Sequence, residues 1–238
     1  RTGAYSISRV RGISWGGSLP ERPGEILDLR LRGEIVAPAD LVKPSSGDRR
    51  YAGMLSLGLH THYQWRGNEV SLGGDLVATG PMTGVGSFQR WIHDQLGVAE
   101  PQVLDDQIGN GIHPTLVAEF GRSIPVGANG MARPFVEVRA GLETLVRVGG
   151  DFSFGGYGPG DLMLRDPATG LRYRAVEGDR STGLSLTVGA DFAQVFSSAL
   201  LPAGGDVTMS DTRSRLRAGL QWEGERASVF YGVSYLSP

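Results

Sequence analysis

The stretch MLSLGLHTHYQW, residues 54–65, alternates between apolar and polar side chains along most of its length. Leu55, Leu57 and Leu59 fall on one side of an extended chain, and Ser56 falls on the other. Successive side chains of a β-strand point to opposite faces, so this period of two predicts a strand. The predicted strand has one apolar face and one hydrophilic face.

The same alternation recurs further along the chain with charged residues on the polar face. It is found at residues 27–34, 136–143, 184–191 and 213–223. In the last of these stretches, Leu216 and Leu220 alternate with Arg215 and Arg217. A charged face needs water or countercharges, and two folds supply them. In a soluble sandwich the polar face meets solvent, whereas in an outer-membrane barrel it lines the lumen.

Three features favour the membrane version. The alternating stretches are long, they carry charges of both signs that can pair across a closed interior, and aromatic residues lie near their ends. These aromatic residues are Trp15, Tyr63, Trp65, Trp222, Tyr231 and Tyr235. The sequence therefore predicts an all-β protein, an antiparallel transmembrane β-barrel with about ten strands in this chain.

Composition narrows the possible functions. The chain has 238 residues, a net charge of −2 and no cysteine. The near-neutral charge gives no reason to expect a nucleic-acid partner. The lack of cysteine excludes disulfides and thiolate metal sites and fits an oxidising cell envelope. No linker or long-period repeat is visible, so residues 1–238 are expected to form a single barrel domain.

The connections between strands divide into short and long ones. Glycine- and asparagine-rich turns, such as Arg66-Gly67-Asn68, predict one rim of the barrel. Residues 38–48, 81–110 and 155–181 are longer, and we expect all three to be extracellular loops on the opposite rim.

One stretch in the second long loop has the spacing of an amphipathic helix. Its apolar residues, Phe88, Trp91, Ile92 and Leu96, recur at offsets of three and four. Ser87 is the predicted cap at its start and Gly97 at its end. Gln89 and His93 lie four residues apart on one flank of the apolar stripe, where side chains meet. A histidine there can act as a base.

Read together, several short motifs resemble a known family, the lipid A 3'-O-deacylases (LpxR) of Gram-negative outer membranes. The motifs are Thr2-Gly3, Pro38 with Lys43, Gly47-Asp48-Arg49-Arg50-Tyr51-Ala52-Gly53, Gly80-Pro81, Gln89-Arg90-Trp91-Ile92-His93, and Asp106-Gln107-Ile108 with Asn110. Their order and spacing carry the resemblance, which spans nearly the whole chain.

The resemblance implies a 12-stranded barrel in the bacterial outer membrane with a short extracellular-loop helix packed on its wall. It also implies a calcium-dependent carboxylic ester hydrolase that removes the 3'-linked acyloxyacyl chain from lipid A of lipopolysaccharide. This chain supplies about ten strands, so the first and last strands of the family barrel are expected to be missing from it.

Position by position, the resemblance assigns His93 as the base that activates water and Gln89 as its neighbour on the helix. Thr2 becomes a strand residue of the catalytic site, and Lys43 becomes a substrate-binding cation near the lipid headgroup. The family's calcium-linked Asn-Asp pair would precede Arg1, so no residue of this chain is assigned with certainty as a metal ligand.

Other interpretations remain open for the function. Ser87 could be the nucleophile of a phospholipase-type barrel, although six residues from His93 place it on a different face of the helix. The alternative outside enzymes is a catalytically inactive outer-membrane barrel with a structural role or a place in a larger membrane assembly. The residue six positions after His93, acidic in some family members, is Ala99 here.

Three further groups of residues have a structural and a functional interpretation. His60 and His62 share a strand face and could bind zinc, although two imidazoles more often line a polar lumen. Asp106 and Asn110 could provide calcium oxygens, although loop capping is the commoner use. The glycine-rich run at residues 155–158 predicts a flexible loop rather than a phosphate-binding one.

Overall fold

The computed structural model describes residues 3–45, 47–178, 182–201 and 209–237. Its elements, in chain order, are β1 (Gly3–Gly12), β2 (Ile26–Val36), β3 (Ala52–Trp65), β4 (Asn68–Thr79), α1 (Val85–Leu96), β5 (Gly111–Gly121), β6 (Ile124–Val126), β7 (Gly130–Ala140), β8 (Glu143–Phe154), β9 (Leu162–Arg165), β10 (Arg172–Val176), β11 (Gly183–Ser198), β12 (Thr212–Glu223) and β13 (Ser228–Leu236). Two short 3-10 turns, Pro81–Thr83 and Gln102–Asp106, flank α1.

Ten strands form one curled antiparallel sheet in the order β1-β2-β3-β4-β5-β7-β8-β11-β12-β13, and β6 pairs with β7. The order follows the chain because each strand folds back beside its predecessor. Within the described residues, β1 and β13 are the edges of the sheet and do not pair with each other. No helix in this part of the chain is long and apolar enough to cross a bilayer.

The two faces of the sheet differ as the alternation predicted. Leu57 is 54% exposed on the outer face and pairs with Leu31 and Leu76, so outward leucines line up across three strands. The neighbouring Ser56 is buried on the inner face with most of the charged side chains of the sheet. Apolar side chains outside and ion pairs inside are the reverse of a soluble sandwich and are typical of a membrane barrel.

We use two names for the ends of the curled sheet. The helix rim is the end at which residues 37–51 and 80–110 connect the strands, and the turn rim is the opposite end, at which residues 66–67 join β3 to β4. Trp65 and Trp222 are exposed on the outer face at the turn rim. Trp15 differs from this expectation, because it packs with Ile26 and Leu162 and donates a hydrogen bond to Gly160 O at 2.7 Å.

The third long loop was assigned to the wrong rim. β8 ends and β11 begins at the turn rim, and β9 and β10 between them form a separate hairpin. We call this pair of strands the inner hairpin, because its Arg165 reaches two inward carboxylates. Arg165 Nε lies 2.6 Å from Glu119 Oε2, and Arg165 Nη2 lies 2.8 Å from Asp151 Oδ2. The loop is long because it contains the inner hairpin, which lies inside the lumen.

The inner hairpin also contacts both edge strands of the sheet. The Tyr173 hydroxyl lies 2.9 Å from Ser8 Oγ of β1, and Ser234 Oγ of β13 donates to Thr169 O at 3.0 Å. Leu162 and Leu164 are buried against Ile26. The hairpin therefore spans the interior between β1 and β13.

Leu57→Arg should lower the free energy of unfolding by about 2–4 kcal/mol, because it places a charge at lipid depth on the outer face. Arg215→Gln should cost much less, since Arg147 and Arg217 also contact Asp191, the partner of Arg215. Denaturant unfolding in lipid vesicles measures both values. Equal costs would mean that the two faces are assigned wrongly.

Candidate functional site

α1 begins three residues earlier than its capping pattern predicted. Its N-cap is Gly84, which has φ 70°, and no side chain caps the start of the helix. Ser87 lies inside the first turn, so the assignment of Ser87 as the cap was wrong. The predicted end is confirmed, because Gly97 adopts φ 63° and its backbone N–H donates to the last turn. Glycine pays no Cβ penalty in this left-handed conformation.

The helix lies on the outer surface of the barrel wall at the helix rim. A Cβ atom on Gly53 of β3 would stand 2.9 Å from Val85 Cβ, so only glycine allows this approach. Gly53 has the same strand parity as the outward Leu55 and Leu57, which places α1 on the lipid-facing side. Beside this contact, Tyr51 and Leu104 form a small apolar cluster with neighbouring loop residues.

Most of the apolar stripe of the helix faces away from the wall, and only Ile92 in it is half-buried. Gly86 and Gln89 are the buried residues of α1, and Gln89 is 9% exposed. Phe88 and Trp91 are 56% and 57% exposed, and their rings stack with centroids 5.9 Å apart. The wall therefore contacts the side of the helix that carries Gln89 and the half-buried His93.

His93 is oriented by a main-chain oxygen. His93 Nδ1 lies 2.7 Å from Ala99 O, in the segment that turns back after Gly97. A carbonyl oxygen only accepts, so Nδ1 carries the hydrogen, and in the neutral ring Nε2 keeps its lone pair. Ala99 stands where the family resemblance places an acidic residue. The group that contacts the His93 ring here is therefore a main-chain carbonyl.

The turn that brings Ala99 to His93 is held at two further points. Val98 N donates to His93 O at 3.0 Å, which closes the end of the helix. Arg90 Nε lies 2.8 Å from Glu100 Oε1, and both side chains are about half exposed. An exposed ion pair contributes about 0–1 kcal/mol, so the backbone contacts hold most of this geometry.

Three buried polar atoms near the helix have no hydrogen-bond partner among the described residues: Gln89 Oε1, Gln107 Oε1 and the Tyr51 hydroxyl. Tyr51 and Gln107 both surround Gly86, whose added Cβ would lie 3.7 Å from Tyr51 Cε1 and 3.8 Å from Gln107 Nε2. Burial raises the pKa of Tyr51 to about 12, so the hydroxyl stays protonated at neutral pH. Unpaired buried polar atoms are costly, and they are common where a ligand binds.

The implied calcium ion finds only part of a site in these residues. A hard cation prefers six to eight oxygen ligands, several of them carboxylates. The amide oxygens of Gln89 and Gln107 are suitable neutral donors. In the described part of the chain, however, no three His, Cys, Asp or Glu side chains come close enough to hold a metal. The described residues do not complete a calcium site.

Lys43 lies exposed in the loop at residues 37–51, on the same rim as α1. Its backbone N–H donates to Asp40 Oδ1 at 2.9 Å, and this bond is the largest cause of the lowered pKa of Asp40. The described residues place no carboxylate within ion-pair distance of the Lys43 ammonium group. Thr2 lies outside the described residues, so its predicted role has no structural description.

Asp106 and Asn110 have structural contacts. Asn110 Oδ1 accepts a hydrogen bond from Met82 N at 2.8 Å and so orders the approach to the helix. Asp106 lies 3.4 Å from Arg50 Nε on an exposed surface. Both residues therefore have the loop-ordering contacts that were the commoner expectation.

The histidine pair on β3 is separate from this region. His60 and His62 are buried on the inner face. His60 Nε2 lies 3.2 Å from Asp75 Oδ1, and His62 Nε2 lies 3.9 Å from Asp28 Oδ2. Each imidazole thus faces its own carboxylate within the lumen, and no described third ligand joins them into a metal site.

Sequence reasoning assigned no role to Tyr51, Gln107 or the Ala99 carbonyl. One signal for the first two was Gly86, because glycine inside a helix costs about 1 kcal/mol and often marks close packing. A main-chain oxygen has no sequence signature. Its position depends on the left-handed turn at Gly97.

Comparisons with known proteins agree with this architecture. The model of a family described as outer membrane protein LpxR matches residues 15–201, most of the chain. Among solved structures, LpxR from Salmonella typhimurium matches with a TM-score of 0.77 and 18% sequence identity, covering 98% of this chain and 81% of that one. At this identity the likeness shows the fold. No curated protein sequence matches the chain significantly.

Proposed function

Since the chain belongs to the LpxR family of outer membrane proteins, we propose that it is a lipid A 3'-O-deacylase that uses His93 to activate water. The observation that carries this proposal is the pairing of His93 Nδ1 with Ala99 O, which leaves Nε2 as an oriented base. α1 lies on the lipid-facing side of the wall, where a lipid ester would reach His93 from within the membrane.

The proposed reaction is ester hydrolysis. His93 Nε2 takes a proton from water while the water oxygen bonds to the ester carbonyl carbon. The bond between that carbon and the 3' oxygen of the sugar then breaks, and the imidazolium returns its proton to the departing oxygen. The products are the acyloxyacyl acid and a free 3' hydroxyl group. A positioned base of this kind contributes about 10²–10⁴-fold to the rate.

Other residues are proposed to bind or orient the substrate. The buried Gln89 amide lies one helical turn from His93 and would orient the water or the ester. Lys43 would attract a phosphate of the lipid A headgroup, because cationic side chains at a membrane surface attract anionic lipids. Thr2, by resemblance, belongs to the same site.

Mass spectrometry of lipid A tests the proposal. The full-length protein is expressed in a Gram-negative host whose lipid A retains its 3'-linked acyloxyacyl chain. We expect a loss of mass equal to that group, with the remaining acyl chains untouched. Unchanged lipid A in the presence of calcium, from a barrel that migrates as folded in heat-modifiability gels, would contradict the proposal.

The same experiment addresses the second candidate function, an inactive barrel with a structural or assembly role. The observation in its favour is the incomplete set of calcium oxygens in the described residues. A folded barrel that leaves lipid A unchanged would support it. Recovery of the protein in a larger membrane complex would then specify the role.

Removal of calcium from the full-length protein should lower deacylation by about 10²–10³-fold, the usual loss when charge developing on a carbonyl oxygen is no longer stabilised. We include calcium as a cofactor on the family resemblance, with Gln89 and Gln107 as neutral donors. The measurement is deacylation in detergent micelles with chelator, and then with calcium restored. Full activity in chelator would remove calcium from the proposal.

A further inference from the structure

The outward side of α1 is apolar although it covers nothing in the protein. Phe88 and Trp91 are more than half exposed and stack on each other. Leu96 at the end of the helix and Val98 just beyond it are exposed as well. A cluster of exposed apolar side chains of this kind marks a surface that meets a partner or a lipid.

The depth of the helix on the wall can be read from β3. Trp65 stands at the turn rim, and the run from Trp65 up to Leu55 is about ten residues on a strand that rises roughly 3.3 Å per residue. With a tilt of about 40°, that run spans about 25 Å, the height of the apolar band of an outer-membrane barrel. Gly53, the next outward residue, is the one that contacts Val85 of the helix. The helix therefore lies at the upper edge of the band.

Polar side chains of α1 are separated from this cluster. Ser87, Arg90 and Asp94 follow one another at offsets of three and four, so they form a strip along the helix. Phe88, Trp91 and Gln95 form a parallel strip beside it. Arg90 is also paired with Glu100. The exposed surface of α1 thus has an aromatic flank, Phe88 and Trp91 with Gln95 at its end, and a charged flank, residues 87, 90 and 94.

We propose that α1 is an interfacial helix whose aromatic flank lies among the lipids at the headgroup–acyl boundary of the outer leaflet, while the charged flank faces water. An amphipathic helix that lies in a membrane surface places Trp, Phe and Leu in the acyl boundary and charges outward. Three observations support this occupant: the helix rests on the lipid-facing wall, it lies at the edge of the apolar band, and its exposed apolar surface continues that band.

This inference depends on the outer-membrane location and not on the deacylase reaction, so the two can fail separately. The partner is the lipid itself. Contact with lipid would hold α1 at a fixed depth. Gln89 and His93, which lie between α1 and the wall, would then be at the depth of the first acyl carbonyls.

The lack of cysteine in the chain makes the test direct. Single cysteines at Phe88, Trp91, Ser87 and Asp94 can each carry a spin label in the full-length protein, reconstituted in phosphatidylcholine–phosphatidylglycerol vesicles. Accessibility to oxygen, which concentrates in the bilayer, is compared with accessibility to a water-soluble nickel complex. A label at Leu57 is the control for lipid depth.

We expect labels at Phe88 and Trp91 to give an oxygen-to-nickel ratio severalfold above that of labels at Ser87 and Asp94, and below that at Leu57. Equal ratios on both flanks would overturn the proposal, because α1 would then stand clear of the bilayer. Labels at Phe88 and Trp91 shielded from both reagents would also overturn it, since a protein partner, such as a second copy, would then cover the flank. Heat-modifiable migration of each labelled protein verifies that the barrel is folded.

Discussion

His93→Ala should lower lipid A deacylation by about 10²–10⁴-fold while the barrel assembles normally, because a positioned base contributes a factor of that size. The His93 side chain is half-buried and makes one hydrogen bond, to Ala99 O, so its loss removes little of the stability of the wall. The readout is mass spectrometry of lipid A from membranes that contain the variant. Heat-modifiable gel migration checks assembly.

Two other variants of α1 serve as comparisons for His93→Ala. Gln89→Ala should reduce activity by less than His93→Ala, since the amide orients the reaction and takes no proton. Gln95→Ala, exposed on the outer side, should leave activity unchanged. If His93→Ala keeps near-full activity, the base lies elsewhere and the assignment of the site is wrong.

Asp191→Asn should lower the free energy of unfolding by about 3–5 kcal/mol, the cost of removing one partner from a buried ion-pair group. The Asp191 carboxylate is fully buried and contacts three arginines of the inner face. Arg147 Nη1 lies 2.5 Å from it, Arg215 Nε lies 3.0 Å from it, and Arg217 Nη1 also pairs with it. Removing the charge leaves three guanidinium groups facing one another in the lumen.

Denaturant unfolding in vesicles measures this loss, with Arg215→Gln as the matched control. That variant leaves Asp191 with Arg147 and Arg217, so its cost should be well below that of Asp191→Asn. Similar costs for the two variants would mean that the carboxylate does not organise the group. Activity at a temperature where both proteins are folded should be unaffected, because the lumen lies on the other side of the wall from α1.

The strands could be predicted from the sequence because their pattern depends on local geometry alone. Leu57 and Ser56 are assigned to opposite faces by the period of two, whatever lies beyond each face. Charges of both signs on one face then point to the membrane version, and the structure confirms it with ion pairs such as Arg133–Glu119 at 2.7 Å. The alternation predicts the strands, and the charges on one face predict that the other face contacts lipid.

The orientation of α1 on the wall could not be predicted from the sequence. The C-terminal end of α1 was predicted correctly, but the pattern did not predict which side of the helix contacts the wall. On α1 the stripe with Phe88 and Trp91 faces outward, and the polar Gln89 is buried against the wall. In lipid, apolar side chains gain no hydrophobic free energy when they pack against protein. Amphipathicity alone therefore does not predict which side of the helix contacts the wall.

The inner hairpin was missed for a different reason. Loop length assigned residues 155–181 to the helix rim, although the strands of the hairpin are too short to cross a membrane. The alternating Arg172 and Arg174 were a signal, because arginines at every second position need countercharges. Their partners on the sheet, Glu69 and Glu223, lie 103 and 49 residues away, which no local pattern can reveal.

The partners of the inner hairpin impose an order on assembly. Glu69 of β4, Glu119 of β5 and Asp151 of β8 must stand side by side before the arginines of the hairpin can leave water. Contacts between segments so far apart in sequence form late, because the loss of loop-closure entropy opposes them until neighbouring strands are in place. The wall can therefore be inserted strand by strand, while burial of the hairpin arginines waits for a final concerted step. We expect that step, rather than the first insertion of strands, to limit the rate at which this protein matures.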